Sequence, residues 1–427
     1  MKQLTAVLLL IICMVASGQQ INYNYLPVKV NGKYGFVDTA GKYLIRPDYD
    51  FLGCLVEGRA RVNVGGKPDD HGFMEGGFWT FMDSLEQPVS VPVYEAVSDF
   101  CEGRARVMKH GLYGFIDKNG LEVIPCQYPN ITDFHNGMAQ FEKDGLWGSI
   151  DTDGNMVISP RFDKVYYFNE DRAVVGHPFY KAYINKLGNF ITDSIFFEAK
   201  SFENGLAIVV SGDSVRYGML DAFGAKVIPC IYGYITRFSE GMAAVNLNGV
   251  FVAEKNEVTG GHWGFIDKGN RLVIPADYDN AGAFSENLCP VKKNEKWGYI
   301  DKDNKLRISF KYQMAYLFSC DRARIVKKST TGFIDNSGTV IIKPGFEEAE
   351  DFSSGLAIVR QGSAGNKKNR QPGQTGKYGI INKAGEFVLY PEFDAITRFG
   401  NKTFRVYKGS GWGYYNTKGE CVFSISE

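Results

Sequence analysis

Hydrophobic and polar positions alternate with a period of two over short runs, and the runs recur in threes along the whole chain. In one clear copy, Arg104-Ala105-Arg106-Val107 places apolar residues on one face and arginines on the other, a β-strand pattern. His110-Gly111 follows, then Leu112-Tyr113-Gly114-Phe115-Ile116-Asp117, then Lys118-Asn119-Gly120, and finally Leu121-Glu122-Val123-Ile124-Pro125. Three β-type runs separated by turn residues predict a three-stranded antiparallel meander. The middle phrase, aromatic-Gly-apolar-apolar-Asp/Asn, occurs eleven times. Its glycine falls at 35, 114, 148, 218, 264, 298, 332, 379 and 413, with Thr80 and Ala182 at the same place in two further copies. The commonest spacing between copies is 34 residues. A fixed period of this size identifies a tandem repeat protein, and the fold class is all-β.

Columns become visible once the copies are aligned on that anchor. Three residues after it stands Asp in eight copies and Asn in three (Asn185, Asn382, Asn416). Six residues after it stands Gly in eight copies, Asn270, Asn304 or Glu86 in the others. Asp or Asn opening a turn, closed by a residue tolerant of positive φ, predicts a hairpin loop rather than a row of catalytic carboxylates. At +14 every full copy carries Tyr or Phe, at +20 nine of ten carry Phe, and at +25 eight of ten carry Ala. Large rings beside reserved small residues predict layers that interdigitate, since one meander buries too little to fold alone. The anchor glycines, among them Gly35, Gly114, Gly148, Gly264 and Gly298, are expected to leave room for a ring to lie across the strand. All five tryptophans, Trp79, Trp147, Trp263, Trp297 and Trp412, immediately precede the anchor and are read as structural core.

These residues resemble a known family. The Trp/Tyr-Gly-(Phe/Tyr)-Ile-Asp phrase, the following x-x-Gly, the Ile-Pro, the Tyr/Phe-Asp and the Phe-x-x-Gly-x-Ala are similar to WG repeats, also called KWG repeats. The resemblance runs from about Leu26 to the C-terminus and departs at Thr80, at Lys181-Ala182-Tyr183-Ile184-Asn185 and at Thr331-Gly332. It implies a bacterial β-repeat protein, often exported, without an assigned enzymatic activity. It brings no catalytic residues with it.

The two ends of the chain bear on closure. Leu26–Val30 aligns with the first strand of a repeat and Cys421–Ile425 with the third, so eleven meanders stand in frame with no terminal strand borrowed to close a ring. Propellers have four to eight four-stranded blades. Both an open superhelical array and smaller propeller-like rings fit.

Composition adds an address. Lys2 precedes an apolar run, Leu4 to Val15, followed by Ala16-Ser17-Gly18, which reads as a cleavable secretory signal over residues 1–18. Residues 19–25 form a short lead, and residues 26–427 the array. The mature chain is expected to be exported, to the periplasm, cell surface or medium, without a membrane-spanning segment. Seven cysteines remain after Cys13 and share no paired motif, so free buried thiols are expected. The 48 basic and 48 acidic residues balance, which argues against nucleic acid as a partner.

Chemistry is sparse. Asp151-Thr152-Asp153-Gly154-Asn155 imitates the start of a calcium loop but has Phe162 where the bidentate Glu belongs. Five histidines share no metal-ligand spacing, and no cofactor motif occurs. The Arg pairs at 59/61, 104/106 and 322/324 read as an ion-paired strand face. Three insertions interrupt the period at 64–77, 248–261 and 361–376, all between the first and second strands. Equivalent loops in a stack emerge on one side and mark a candidate binding face. Their candidate residues are Asp69, Asp70 and His71, Glu254 and Lys255, and Lys367, Lys368 and Arg370. The expected function is an exported, non-catalytic scaffold binding a protein or an envelope polysaccharide. The alternatives are a glycan- or peptidoglycan-binding module and, last, a propeller-type hydrolase.

Overall fold

The computed structural model describes residues 22–69, 73–177, 180–212, 215–362 and 376–425. Every regular element among them is a β-strand. The repeat anchored on Gly298 shows the pattern: Cys289–Lys293 pairs with Lys296–Ile300, which pairs with Leu306–Tyr312, all antiparallel. A short lead strand, Asn280–Ala281, adds to the outer side of the first strand. The expected meander is therefore present and gains a fourth strand in seven of the sheets. The contacts divide the chain into two compact bodies, one reaching to Ala207 and including Asp221–Ala225, the other made of Ile208–Leu220 and Lys226 onward.

The anchor glycine clears backbone, not a ring. Trp297 faces Tyr312 and Tyr299 faces Ile308, so one residue of the middle strand opposes three of the third. This bulge carries Pro in most repeats, where its missing N–H costs no ladder bond. A Cβ at any of the nine anchor glycines would lie no farther than 2.6 Å from a third-strand carbonyl oxygen, Ile274 O for Gly264 and Ile308 O for Gly298. Thr80 and Ala182 are the two anchors that carry a Cβ. They are also the two repeats without a continuous third strand: only isolated bridges remain, Trp79↔Tyr94 and Met82↔Pro88 in one, Lys181↔Phe196 and Ile184↔Phe190 in the other. The sequence deviation and the structural deviation have one cause.

Rings then join each repeat to the next. The Phe at +20 packs on the ring at +1 in six repeats, with centroids 4.6 to 5.1 Å apart, from Phe115–Phe134 to Phe265–Phe284 and Tyr299–Phe318. Such pairs contribute roughly 0.5–1.5 kcal/mol beyond their buried area. The alanines at +25 are almost fully buried beneath them.

The Phe-x-x-Gly segment is a tight turn whose two central residues both have positive φ, Glu57 at 49° and Gly58 at 81° for example. Glutamate is a costly choice there. What offsets that cost is a bond to the following turn: the Glu57 carboxylate accepts from Glu102 N (2.8 Å) and Gly103 N (3.0 Å). Glu102 does the same for Asn136 N (2.6 Å) and Gly137 N (2.7 Å), and Glu170 for Asn204 N (2.6 Å) and Gly205 N (2.8 Å). In the second body Glu240 receives Asn287 N and Glu286 receives Asp321 N. A side chain one position earlier donates to the carbonyl of the next +20 Phe: Asn169 to Phe202 O, Ser239 to Phe284 O, Ser285 to Phe318 O and Ser319 to Phe352 O, each at 2.7 Å.

Gly264→Ala should therefore lower stability by about 1–3 kcal/mol, the usual cost of overpacking, and expose the amides of Leu272–Tyr278 to exchange. Thermal unfolding and hydrogen exchange check both effects, with Ala182→Gly expected to cause no loss.

Candidate functional site

Two of the insertions are described, 64–77 apart from residues 70–72 and 248–261 throughout, and both form β-hairpin strands grafted between the first and second strands. Lys67–Pro68 pairs with Met74–Glu75, and Val250–Val252 with Glu257–Thr259. Each is fastened at its base by the same device. Asn63, 2% exposed, accepts from Gly66 N (3.0 Å) and donates to Gly76 O (3.3 Å). Asn246, fully buried, accepts from Gly249 N (2.8 Å) and donates to Gly260 O (3.3 Å). The two asparagines face Trp79 and Trp263 in register.

A matching ring trio lies beside each hairpin. Tyr34, Phe51 and Trp79 are linked at 5.7 and 5.1 Å, and Tyr217, Tyr234 and Trp263 at 4.9 and 6.0 Å. Phe251 of the second hairpin stacks on Tyr234 at 5.3 Å. A surface that drifted would not rebuild the same clasp and the same ring trio at two places.

The predicted site residues divide. Asp69 closes its hairpin, its Oδ1 accepting from Phe73 N at 2.7 Å. Glu254 and Lys255 stand exposed at the tip of the second hairpin, with Lys255 in a loose 3.9 Å pair with Glu257. Asp70, His71, Lys367, Lys368 and Arg370 lie outside the described residues. Trp147 and Trp263 are buried, while Trp79, Trp297 and Trp412 are half-buried. None of the five is presented as an open platform.

Residues that could have carried chemistry are engaged in structure. All eleven Asp/Asn side chains at +3 accept two backbone amides of their own turn, as Asp38 does from Ala40 and Lys42, and Asp151 from Asp153 and Asn155. The residue at +6 has positive φ in every copy, including Glu86 at 60°. The arginine pairs reach the neighbouring repeat. Arg59 Nε donates to Lys118 O (2.9 Å), Arg104 Nε to Thr152 O (3.1 Å) and Arg322 Nε to Lys383 O (3.1 Å). Arg106 pairs with Asp133 at 3.2 Å and Arg324 with Asp351 at 2.8 Å.

Burial pushes the Glu350 carboxyl upward, with Arg398 3.8 Å away opposing the shift. No group of three or more potential metal ligands occurs among the described residues. Six free thiols do, with Cys101 and Cys289 buried, Cys126, Cys230 and Cys320 half-buried and Cys421 exposed, while Cys54 is disulfide-bonded, so the expected set of seven free, buried thiols is corrected. Burial raises Cys101 to about 12 and Cys126 to about 11, which keeps both as thiols.

Comparison with known proteins agrees with this repeat by repeat. The profile described as WG containing repeat matches ten segments, residues 34–67, 79–113, 113–147, 147–176, 182–213, 217–251, 263–297, 297–329, 332–363 and 378–411. The chain belongs to the WG-repeat family. The eleventh copy, from Trp412, lies beyond the matched segments. No curated protein matches the chain.

Among solved structures it is similar to a eukaryotic initiation factor (12% identity, 75% of this chain and 94% of that one, TM-score 0.40). It is also similar to BamB from Moraxella catarrhalis (9% identity, 62% and 90%, TM-score 0.29). A third is PorZ, a bacterial surface component of the type-IX secretion system of Porphyromonas gingivalis (11% identity, 93% and 66%, TM-score 0.23). No helix among the described residues is long and apolar enough to cross a membrane.

Two outcomes follow. Asn246→Ala leaves the Gly249 amide buried without its acceptor, so stability should fall by about 1–3 kcal/mol in thermal denaturation. The second concerns pH. The Gln87 amide holds Asp83 below the usual carboxylate range, and the Arg271 amide and side chain do the same for Asp267. A lowered folded pKa contributes stability that is complete above the unfolded value, about 3.9, and is lost as pH falls through the folded value. The melting temperature should therefore drop on acidification below about pH 4. Asp83→Asn with Asp267→Asn, copying the asparagines at 185, 382 and 416, should flatten that acid limb in a pH series of melts.

Proposed function

We propose that this WG-repeat protein is an exported, non-catalytic scaffold that binds a protein or envelope component through the loops between its first and second strands. The observation that carries the reading is the duplicated hairpin. The repeat frame spends its recurrent polar residues on turns and on neighbouring repeats, whereas the hairpins add exposed side chains on an asparagine-clasped base. Loops held by a rigid scaffold are where binding residues concentrate. Export rests on the charged start, apolar run and small residues of the N-terminal 18 residues. A non-catalytic role is supported by the repeat carboxylates serving as turn acceptors and by Glu350 facing an arginine.

Site-specific photo-cross-linking in cells producing the full chain tests the proposal. A cross-linker replacing Lys255, at the hairpin tip, should give a discrete adduct. One replacing Lys305, in a turn of the opposite hairpin type, should not. Absence of any adduct at 255, or identical adducts from both positions, would reject the loop end as the binding face.

A further inference from the structure

Lysines recur at the loop between the first and second strands, and most of them stand beside acids. One residue explains much of that neutrality. Fifteen positions after an anchor, the chain leaving the third strand donates its backbone N–H to the first strand of the next repeat: Glu95 N to Met108 O, Asp279 N to Lys292 O, Glu347 N to Arg360 O and Asp394 N to Tyr407 O. The side chain at this position is a carboxylate in each of those four, whereas Gly233, which makes the same bond to Asn246 O, carries none, and Pro129 and Phe197 are also neutral there. Glu95 receives His110 N (2.8 Å) and Gly111 N (3.1 Å), and Asp394 receives Gly409 N (2.7 Å). Fifteen positions after the anchor Gly298 stands Gln313. Its backbone makes the same bond, to Val326 O at 2.9 Å, and its side-chain oxygen accepts Ser329 N at 2.9 Å. The geometry is preserved and the charge is removed.

The loop next to Gln313 is Lys327-Lys328-Ser329-Thr330, which contains no acid. On the other side, Trp297 is the register partner of Tyr312, so Lys296 and Gln313, each one residue farther along, come to the same end. Lys296 is the register partner of Lys293, and Lys311 immediately precedes Tyr312. Lys293, Lys296, Lys311, Lys327 and Lys328 are all exposed, and among the described residues none has a carboxylate partner. Nearby lysines do: Lys292 pairs with Glu295 at 2.8 Å, and Lys302 with Glu240 at 3.1 Å. Against these five lysines stand Asp279 and Glu295, the latter held by Lys292, so this end keeps an excess of positive charge that an anion would relieve.

We propose that these five lysines, with the half-buried Trp297 among them, form a binding surface for an acidic polysaccharide; this rests on the scaffold reading and names one partner class for its loop end. The sparse carboxylates of a sugar-acid chain suit five separated ammonium groups. Nucleic acid fits less well. Proteins that grip it through the backbone commonly neutralise more phosphates from a net-basic surface, and single-strand binders offer successive exposed rings. This chain has no net charge, and the tyrosine rings beneath Lys293 and Lys311, Tyr278 and Tyr312, are buried.

The test uses the full mature chain, with polygalacturonate as probe, uncharged dextran of similar length as control, and single-stranded DNA as the competing macromolecule. Polygalacturonate should bind at low salt and weaken as salt rises, while dextran should not bind. Replacing all five lysines by Gln should reduce polygalacturonate binding by at least about tenfold. Neutralising Lys42, Lys268, Lys305, Lys402 and Lys418 instead should leave it within about twofold. Gln313→Glu should also weaken binding, and it restores the residue type found in neighbouring repeats, so a folding defect is not expected. Failure of polygalacturonate to bind, equal losses in the two lysine sets, or tighter binding of DNA would overturn the proposal. Adducts at position 255 that persist while polygalacturonate fails would leave the scaffold reading standing and this site rejected.

Discussion

The packing of the +20 phenylalanine, on the segment that leads into the next sheet, onto the +1 ring that follows the same anchor is the interaction on which the rest of the structure depends. A single three- or four-stranded sheet cannot bury its own face, so each repeat is stable only when covered. The ring pairs supply that cover, and the positive-φ turn beside each phenylalanine sets its position. The glutamate clasp and the Ser/Asn-to-carbonyl bonds hold successive turns in line. Polar groups that might have served function are thereby committed to the frame. The third strand must bulge to place its +14 aromatic opposite the Trp/Tyr column, and that bulge is what excludes a Cβ at the anchor.

Local features of this design were legible in the sequence. The Asp/Asn turns could be read because the acceptor and both donors lie within five residues of one another. The meander, its period and the strand limits at Leu26–Val30 and Cys421–Ile425 follow from alternation and alignment. The anchor glycine was legible as a clearance but not as what it clears, because the bulge depends on a register that no single strand states. The lead strand was missed because two residues such as Asn280–Ala281 carry no periodicity. The glutamate clasp was missed because Glu57 and its donors at 102 and 103 are separated by a whole repeat and an insertion. A signal existed: Glu recurs before Gly in Phe-x-Glu-Gly, at a position where a β-turn would ordinarily favour Asn.

The candidate site was legible only as interruption. Sequence placed the three insertions, and structure shows that two of them share one construction from Asn63 and Asn246. Gln313 gave no signal by itself, since it becomes informative only against the acids at 95, 279, 347 and 394. Both cases follow one rule. In a chain where repetition accounts for most residues, information about function resides in the departures from the column, and a departure has meaning only after the column's structural role is known.

The turns between repeats belong to the frame, and the grafted hairpin tips do not. Native-state hydrogen exchange measures this directly. Amides of Glu102, Gly103, Asn136, Gly137, Asn204 and Gly205, although they lie in two-residue turns, should be protected as strongly as strand amides, while those of Ala253 and Glu254 at the hairpin tip exchange near the unstructured rate. Turn amides that exchange as fast as the hairpin tip would contradict the account.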